Sequence, residues 1–302
     1  MAVTNTITIS IYVLSHLLHV LGFCLLIRIK KADTFGAAQR LFLLNLSLVE
    51  AIYAALAIFE EVTLQHENLA KAKFSTVLIL DGFFYVWYIL VMIGLTFDRF
   101  LTLYLKLRYV TVWQIKKTKM VLATCFLLAL ISAIVLLCTH SDVDALYSSM
   151  TLYLWPLLNI LFLLVAFGTY GYLARTAFKQ NRIIGPAKGL TESIDHENSH
   201  TEQQQTRGTI SRKTADSSFS IRKMKRGFIV PSLLITSFMV CWLIPDFVYF
   251  GYEVSDIELE YDSYVDLLYP IGVLTDAIIY ILCWKDTRKE LKKIFTRCFN
   301  KR

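Results

Sequence analysis

Seven stretches of the chain are apolar for long enough to cross a bilayer, which takes about 20 residues at 1.5 Å rise each. Residues 7–27 carry no formal charge, 41–59 carry only Glu50, and 74–97 carry only Asp81. Residues 120–141 and 145–174 carry none, 227–252 carry only Asp246, and 267–284 only Asp276. With their flanking turns, the predicted helices cover about 7–29, 40–60, 74–106, 119–139, 146–177, 223–251 and 264–284. Beyond them, Leu291, Ile294, Phe295 and Cys298 recur at helical spacing while Lys and Arg fill the other side of 285–302. This pattern predicts an amphipathic helix lying on the membrane surface. The expected fold class is an all-α membrane protein: a seven-transmembrane helix bundle with a short amphipathic eighth helix.

Composition agrees. Of 302 residues, 56% are hydrophobic and 18% charged, which excludes an ordinary soluble domain. The charge is sorted by side. With the N-terminus extracellular, 29 of the 31 Lys and Arg fall on cytoplasmic segments, and only Lys71 and Lys73 face out. The C-terminus is then cytoplasmic, and the net charge of +7 reads as a topology signal, not as nucleic-acid binding. Arg28, Lys30 and Lys31 follow the first span directly and no basic segment precedes it, so it reads as a retained helix and not a cleaved leader.

Residues 1–174 therefore hold helices one to five, 178–220 a disordered third cytoplasmic loop, 221–284 helices six and seven, and 285–302 the amphipathic helix and tail. Ser211, Thr214, Ser217, Ser218 and Ser220 sit beside basic residues and are candidates for phosphorylation. The six cysteines show no C-x-x-C spacing, so no metal site or disulfide framework is indicated. Cys298, on the amphipathic stretch, is a candidate for S-palmitoylation.

Ionisable residues inside spans are costly and mark sites facing the bundle interior. Asp81 and Arg99 are 18 residues apart, which is five helical turns, so they share one face of the third helix. The same spacing covers about 27 Å and brings them near opposite membrane surfaces. A snorkelling pair at the helix end accounts for Asp98 and Arg99 as well. No span carries an H-E-x-x-H pair, and His16 and His19 fit a packing role, so the chain is not read as an enzyme.

Four motifs resemble those of rhodopsin-like G-protein-coupled receptors. Asp98-Arg99-Phe100 resembles the D-R-Y motif of the third helix, and Asn45-Leu-Ser-Leu-Val-Glu50 the second-helix N-L-x-L-A-D. Cys241-Trp-Leu-Ile-Pro245 is similar to the sixth-helix C-W-x-P, and Asp276-Ala-Ile-Ile-Tyr280 to the seventh-helix N-P-x-x-Y. The resemblance covers nearly the whole chain. It implies a plasma-membrane receptor with partners in an extracellular ligand, membrane lipid and a heterotrimeric G protein. Asp98, Arg99, Phe100, Trp242, Pro245 and Tyr280 would carry coupling and switching. Glu50 and Asp276 would form a polar core that shares a proton or binds sodium, unless each faces separate neighbours. No other cofactor is implied.

The departures are specific. Two residues, not one, separate Trp242 from Pro245, which turns the tryptophan by about 100° if the helix is regular. Cys138 lacks the family's usual disulfide partner, Phe23 replaces an asparagine, Ala277 replaces a proline, and the seventh span has no lysine for a retinal. The chain reads as a divergent member. Asp81 lies at the offset from Asp98 where aminergic relatives carry their amine-binding aspartate. With Tyr85, Asp246, Phe247 and Tyr249 it forms the candidate ligand site, and the acids there favour a cationic ligand, an amine or basic peptide. The rival class is an ion or proton transporter using Asp81, Glu50, Asp276 and Asp98 as a relay.

Overall fold

The structure, a computed structural model, describes residues 2–29, 34–64, 70–105, 108–113, 115–139, 143–193, 229–255 and 263–299. The described residues are nearly all helical and contain no strand. The long helices are α1 (Ala2–Arg28), α2 (Thr34–Leu64) and α3 (Ala70–Leu105). A short α4 (Tyr109–Val112) leads into α5 (Ile115–Thr139), and α6 (Val143–Ser149) leads into α7 (Trp155–Ser193). After α8 (229–238) come α9 (Ile244–Ser255), α10 (Ser263–Asp266), α11 (Leu268–Ile278) and α12 (Lys285–Phe299).

Among the described residues, six helical segments are long and apolar enough to cross a membrane: Asn5–Arg28, Gly36–Val62, Thr76–Thr102, Ile115–Cys138, Met150–Thr176 and Ile229–Tyr252. Leu268–Cys283 with Lys285–Arg297, bent by 78°, makes a seventh if the bent pair counts as one span. The chain is thus a multi-pass helical membrane protein. Many side chains exposed on these segments, such as Leu17, Ile131, Leu137, Leu157, Leu164 and Phe167, are apolar, as contact with hydrocarbon favours. The Thr76–Thr102 segment is the most buried of the six and the Ile115–Cys138 segment the least, so α3 runs through the centre and α5 along the periphery. Around α3 pack α2, α5 and α7, and α1 packs on α2 and α11.

Among the described residues, three π-helical turns interrupt the helices: Met150–Leu154, Met239–Leu243 and Ile279–Cys283. The first two end two residues before Pro156 and Pro245. Proline removes a donor and its ring clashes with the preceding turn, and widening that turn relieves both. The third ends where Trp284 turns extended (φ −86°, ψ 124°), which halts the helix. The buried Thr287 hydroxyl lies 2.7–3.0 Å from the carbonyls of Tyr280, Ile281 and Trp284 and caps that end.

One expectation changes here. The loop read as disordered from residue 178 begins later, because α7 continues as helix to Ser193. Propensity does not explain this, since the stretch holds Gly185, Pro186 and Gly189. Residues 194–228, with the candidate phosphorylation sites, lie outside the described residues, as does the side chain of Cys298.

Candidate functional site

Along α3, positions 81, 85, 88, 92, 95 and 99 step by four and three residues and form one stripe. Tyr85, Tyr88, Met92, Leu95 and Arg99 are buried, and Asp81 is half-buried at the far end. The stripe faces the bundle interior and touches three polar clusters in turn.

The first cluster is built on Asp246, which is 4% exposed. Its Oδ2 accepts from the Tyr85 hydroxyl and from Asn159 Nδ2 at 2.8 Å, and its Oδ1 accepts from the Tyr269 hydroxyl at 2.8 Å. Tyr85 also sits 2.9 Å from Asn159 Oδ1. Four elements, α3, α7, α9 and α11, are thereby clasped around one carboxyl group. Asp81 and Glu60 lie close enough to act on one another electrostatically, as do Asp81 and Asp246, so the end of the bundle near Asp81 is acidic.

Among the ligand-site candidates, the structure brings Asp81, Tyr85 and Asp246 together. It separates the other two. Phe247 is 40% exposed, because the residue after an inward-facing Asp246 is rotated about 100° around the helix. Tyr249 donates to Asp266 instead, joining α9 to α10.

The second cluster lies mid-bundle. Glu50, Asp276, His19 and Tyr280 are all at most 1% exposed. Tyr280 donates to Glu50 Oε2 at 2.8 Å, and Tyr88 donates to Asp276 Oδ2 at 2.9 Å. His19 Nε2 lies 2.8 Å from the Val273 carbonyl, and its Nδ1 lies 3.6 Å from Glu50 Oε2. The two carboxyl groups interact directly, yet Glu50 Oε1, Asp276 Oδ1, His19 Nδ1 and Ser237 Oγ have no hydrogen-bond partner of good geometry. Glu50 and Asp276 thus lie close enough to interact, while each also has a tyrosine donor of its own, Tyr280 and Tyr88.

Two adjacent buried carboxyl groups cannot both stand as uncompensated charges, so the site calls for a proton or a cation. Glu50 Oε1, Asp276 Oδ1 and the neighbouring Ser237 Oγ are oxygen donors suited to a hard ion such as sodium. No group of three or more His, Cys, Asp and Glu that could hold a metal occurs among the described residues.

Trp242 roofs this core. It is 4% exposed and stacks on Tyr88 at 5.5 Å and Phe238 at 6.5 Å, with Tyr53 at 5.3 Å and Tyr269 edge-on at 5.5 Å. The spacing Trp242-Leu-Ile-Pro245 predicts a tryptophan turned aside. Instead, the π-helical turn Met239–Leu243 takes up the extra residue, and Trp242 faces the interior. Gly272 makes the close approach feasible: a Cβ there would stand 2.7 Å from Cys241 Cβ and 2.9 Å from Trp242 Nε1. Beside Glu50, Tyr53, Tyr85, Tyr88 and Trp242 lies a cavity of about 10 Å³, on the scale of a single water.

The third cluster closes the opposite end. Asp98 and Arg99 are 0% and 3% exposed, so Arg99 does not snorkel. Asp98 accepts from Arg99 Nε at 3.0 Å and from the Tyr109 hydroxyl at 2.5 Å. Arg99 Nη1 donates to Gln39 Oε1 at 3.2 Å, which ties α3 to α2. Burial and the Asp98 carboxylate push the Tyr109 phenol well above its ordinary range, so it stays a neutral donor. Phe100 stands outside this cluster, stacked with Phe97 and Tyr104.

Sequence reading missed His19, Asn159, Tyr269, Gln39 and Tyr109 as members of these clusters. Asn159 and His19 carried a usable signal, since each is a polar side chain in a span without formal charge. Cys24, Cys125, Cys138, Cys241 and Cys283 are free thiols.

The site and fold define a multi-pass helical membrane protein with buried ionisable clusters strung along a central helix. No family model matches the chain, and no curated protein matches it.

Proposed function

We propose that the chain is a divergent seven-helix receptor of the rhodopsin-like G-protein-coupled class. In this reading it is a plasma-membrane protein that detects an extracellular cationic ligand, an amine or basic peptide, and acts on a heterotrimeric G protein. Its N-terminus is extracellular and its C-terminus cytoplasmic. The segment from Leu268 to Cys283 is the seventh span, and α12 lies as an eighth helix on the inner membrane surface. The observation that carries this reading is the α3 stripe, which runs from an acidic mouth at Asp81, past Trp242, to the enclosed Asp98–Arg99 pair.

Asp81 has no hydrogen bond or ion pair among the described residues, which suits it to an incoming cation, while the hydrogen bonds of Asp246 are already committed. Binding at the mouth would bear on α9 and α11 through the Asp246 clasp. Release of Arg99 from Asp98 and Gln39 would then open a docking surface for the G protein. A ligand shifts such a two-state equilibrium only by its difference in affinity between the states. Sodium or a proton at Glu50 and Asp276 would favour the closed state by holding α2 and α11 together. Buried Met92 and Leu95 lie on the stripe between the polar core and Arg99, which favours a signalling bundle over an ion path.

The test is a nucleotide-exchange assay in membranes with a panel of amines and basic peptides. Asp81→Asn should weaken the response to an active cation by at least about tenfold, the scale of one lost charge-assisted contact. An unchanged dose response would remove Asp81 from the ligand site, and ion flux without G protein would favour the transporter.

A further inference from the structure

Between the end of α1 and one face of α12 lies an open cleft of about 640 Å³, the size of a small-molecule site. Four cations line it: Arg28 from α1, and Lys289, Lys293 and Arg297 from α12, together with the acids Asp286 and Glu290. The α12 members recur three and four residues apart, so one helical face presents them all. The lysines are engaged within that face. Lys289 lies 3.8 Å from Asp286, and Lys293 lies 2.5 Å from Glu290. Arg28 and Arg297 have no hydrogen bond or ion pair among the described residues and are exposed.

Two uncommitted guanidinium groups from different helices make a receptor for a phosphate, because each planar fork binds two phosphate oxygens at once. The apolar part of the lining decides the source of that phosphate. Ile29, just past the end of α1, and Ile294 on α12 line the same cleft, so apolar surface stands among the charges. A ligand satisfying both is amphipathic. We propose that the cleft binds the phosphorylated headgroup of an anionic membrane lipid, with Arg28 and Arg297 taking the phosphate. Such a lipid would pin α12 to the end of α1. The proposal rests on the placement of α12 at the membrane surface and not on G-protein coupling, so a binding assay judges it apart from signalling.

The experiment uses the full chain in nanodiscs and measures retention of a phosphatidylinositol phosphate against phosphatidylserine. The cleft variant Arg28→Ala/Arg297→Ala is compared with Arg288→Ala/Lys292→Ala, which removes equal charge from α12 residues that do not line the cleft. Wild type and the control should both prefer the phosphoinositide, and the cleft variant should bind it about tenfold more weakly. Arg28→Lys/Arg297→Lys keeps the charge and loses the forks, and should fall between them. Thermal unfolding of each variant separates lost binding from lost folding. Equal losses in cleft and control variants, or no preference over phosphatidylserine, would overturn the site. A soluble inositol phosphate that competes as tightly as the lipid would overturn the lipid as its source.

Discussion

Two buried acid clusters sit one above the other in this bundle, and they are finished differently. Asp246 has donors on both oxygens, from Tyr85, Asn159 and Tyr269. Glu50 and Asp276 have donors on one oxygen each and leave the other without a hydrogen bond of good geometry. A carboxyl group whose hydrogen bonds are complete holds helices together. One with an unpartnered buried oxygen has a high-energy feature that an added proton or cation relieves. The first cluster is therefore a fastener, and the second a place where occupancy can change the structure. The same split separates the two mouth acids, since Asp81 remains uncommitted while Asp246 does not.

The largest effect should come from undoing the fastener. Asp246→Ala strands the Asn159 and Tyr269 donors, while Tyr85 keeps Asn159 Oδ1 as an acceptor; at about 1–3 kcal/mol for each donor buried unsatisfied, a stability loss of about 2 kcal/mol or more is expected. Thermal unfolding in detergent would show it, and a change under about 1 kcal/mol would mean that Asp246 is not the clasp. Gly272→Ala comes next. Its methyl meets Cys241 and Trp242 inside contact distance, and overpacking of this kind costs about 1–3 kcal/mol. In the receptor reading it should also shift basal nucleotide exchange, because Trp242 must move. The smallest effect belongs to the open cluster. Glu50→Gln removes one of two opposing acids and should alter stability by no more than about 1 kcal/mol in the absence of sodium. Sodium should raise the unfolding temperature of the wild-type protein through selective binding to the folded state, and leave Glu50→Gln unmoved. If both respond alike, the cation reading of this core fails.

Much of this architecture was legible in the chain. Hydropathy located the six helical segments long and apolar enough to cross a membrane among the described residues, and the 18-residue spacing put Asp81 and Arg99 on one face, which is where the helix carries them. What stayed hidden was set by other helices. Nothing local to α9 says that Asn159 and Tyr269 will meet Asp246, because those residues approach from α7 and α11. The rotation of Trp242 escaped for a different reason: a regular 3.6-residue period cannot foresee a π-helical turn ahead of Pro245. Phe247 shows the limit of proximity in sequence, since its neighbour's inward orientation is what sends it outward. The extent of α7 was misjudged because loss of hydrophobicity ends a membrane span but need not end a helix.

The central claim is that the enclosed Asp98–Arg99 pair is a latch released toward a G protein. It is tested most directly by measuring nucleotide exchange on a purified heterotrimeric G protein in membranes carrying the wild-type chain or Arg99→Ala. The account predicts exchange with the wild type, loss of at least about tenfold with the variant at equal folded protein, and no ion flux in either. Exchange of equal rate in both would contradict it.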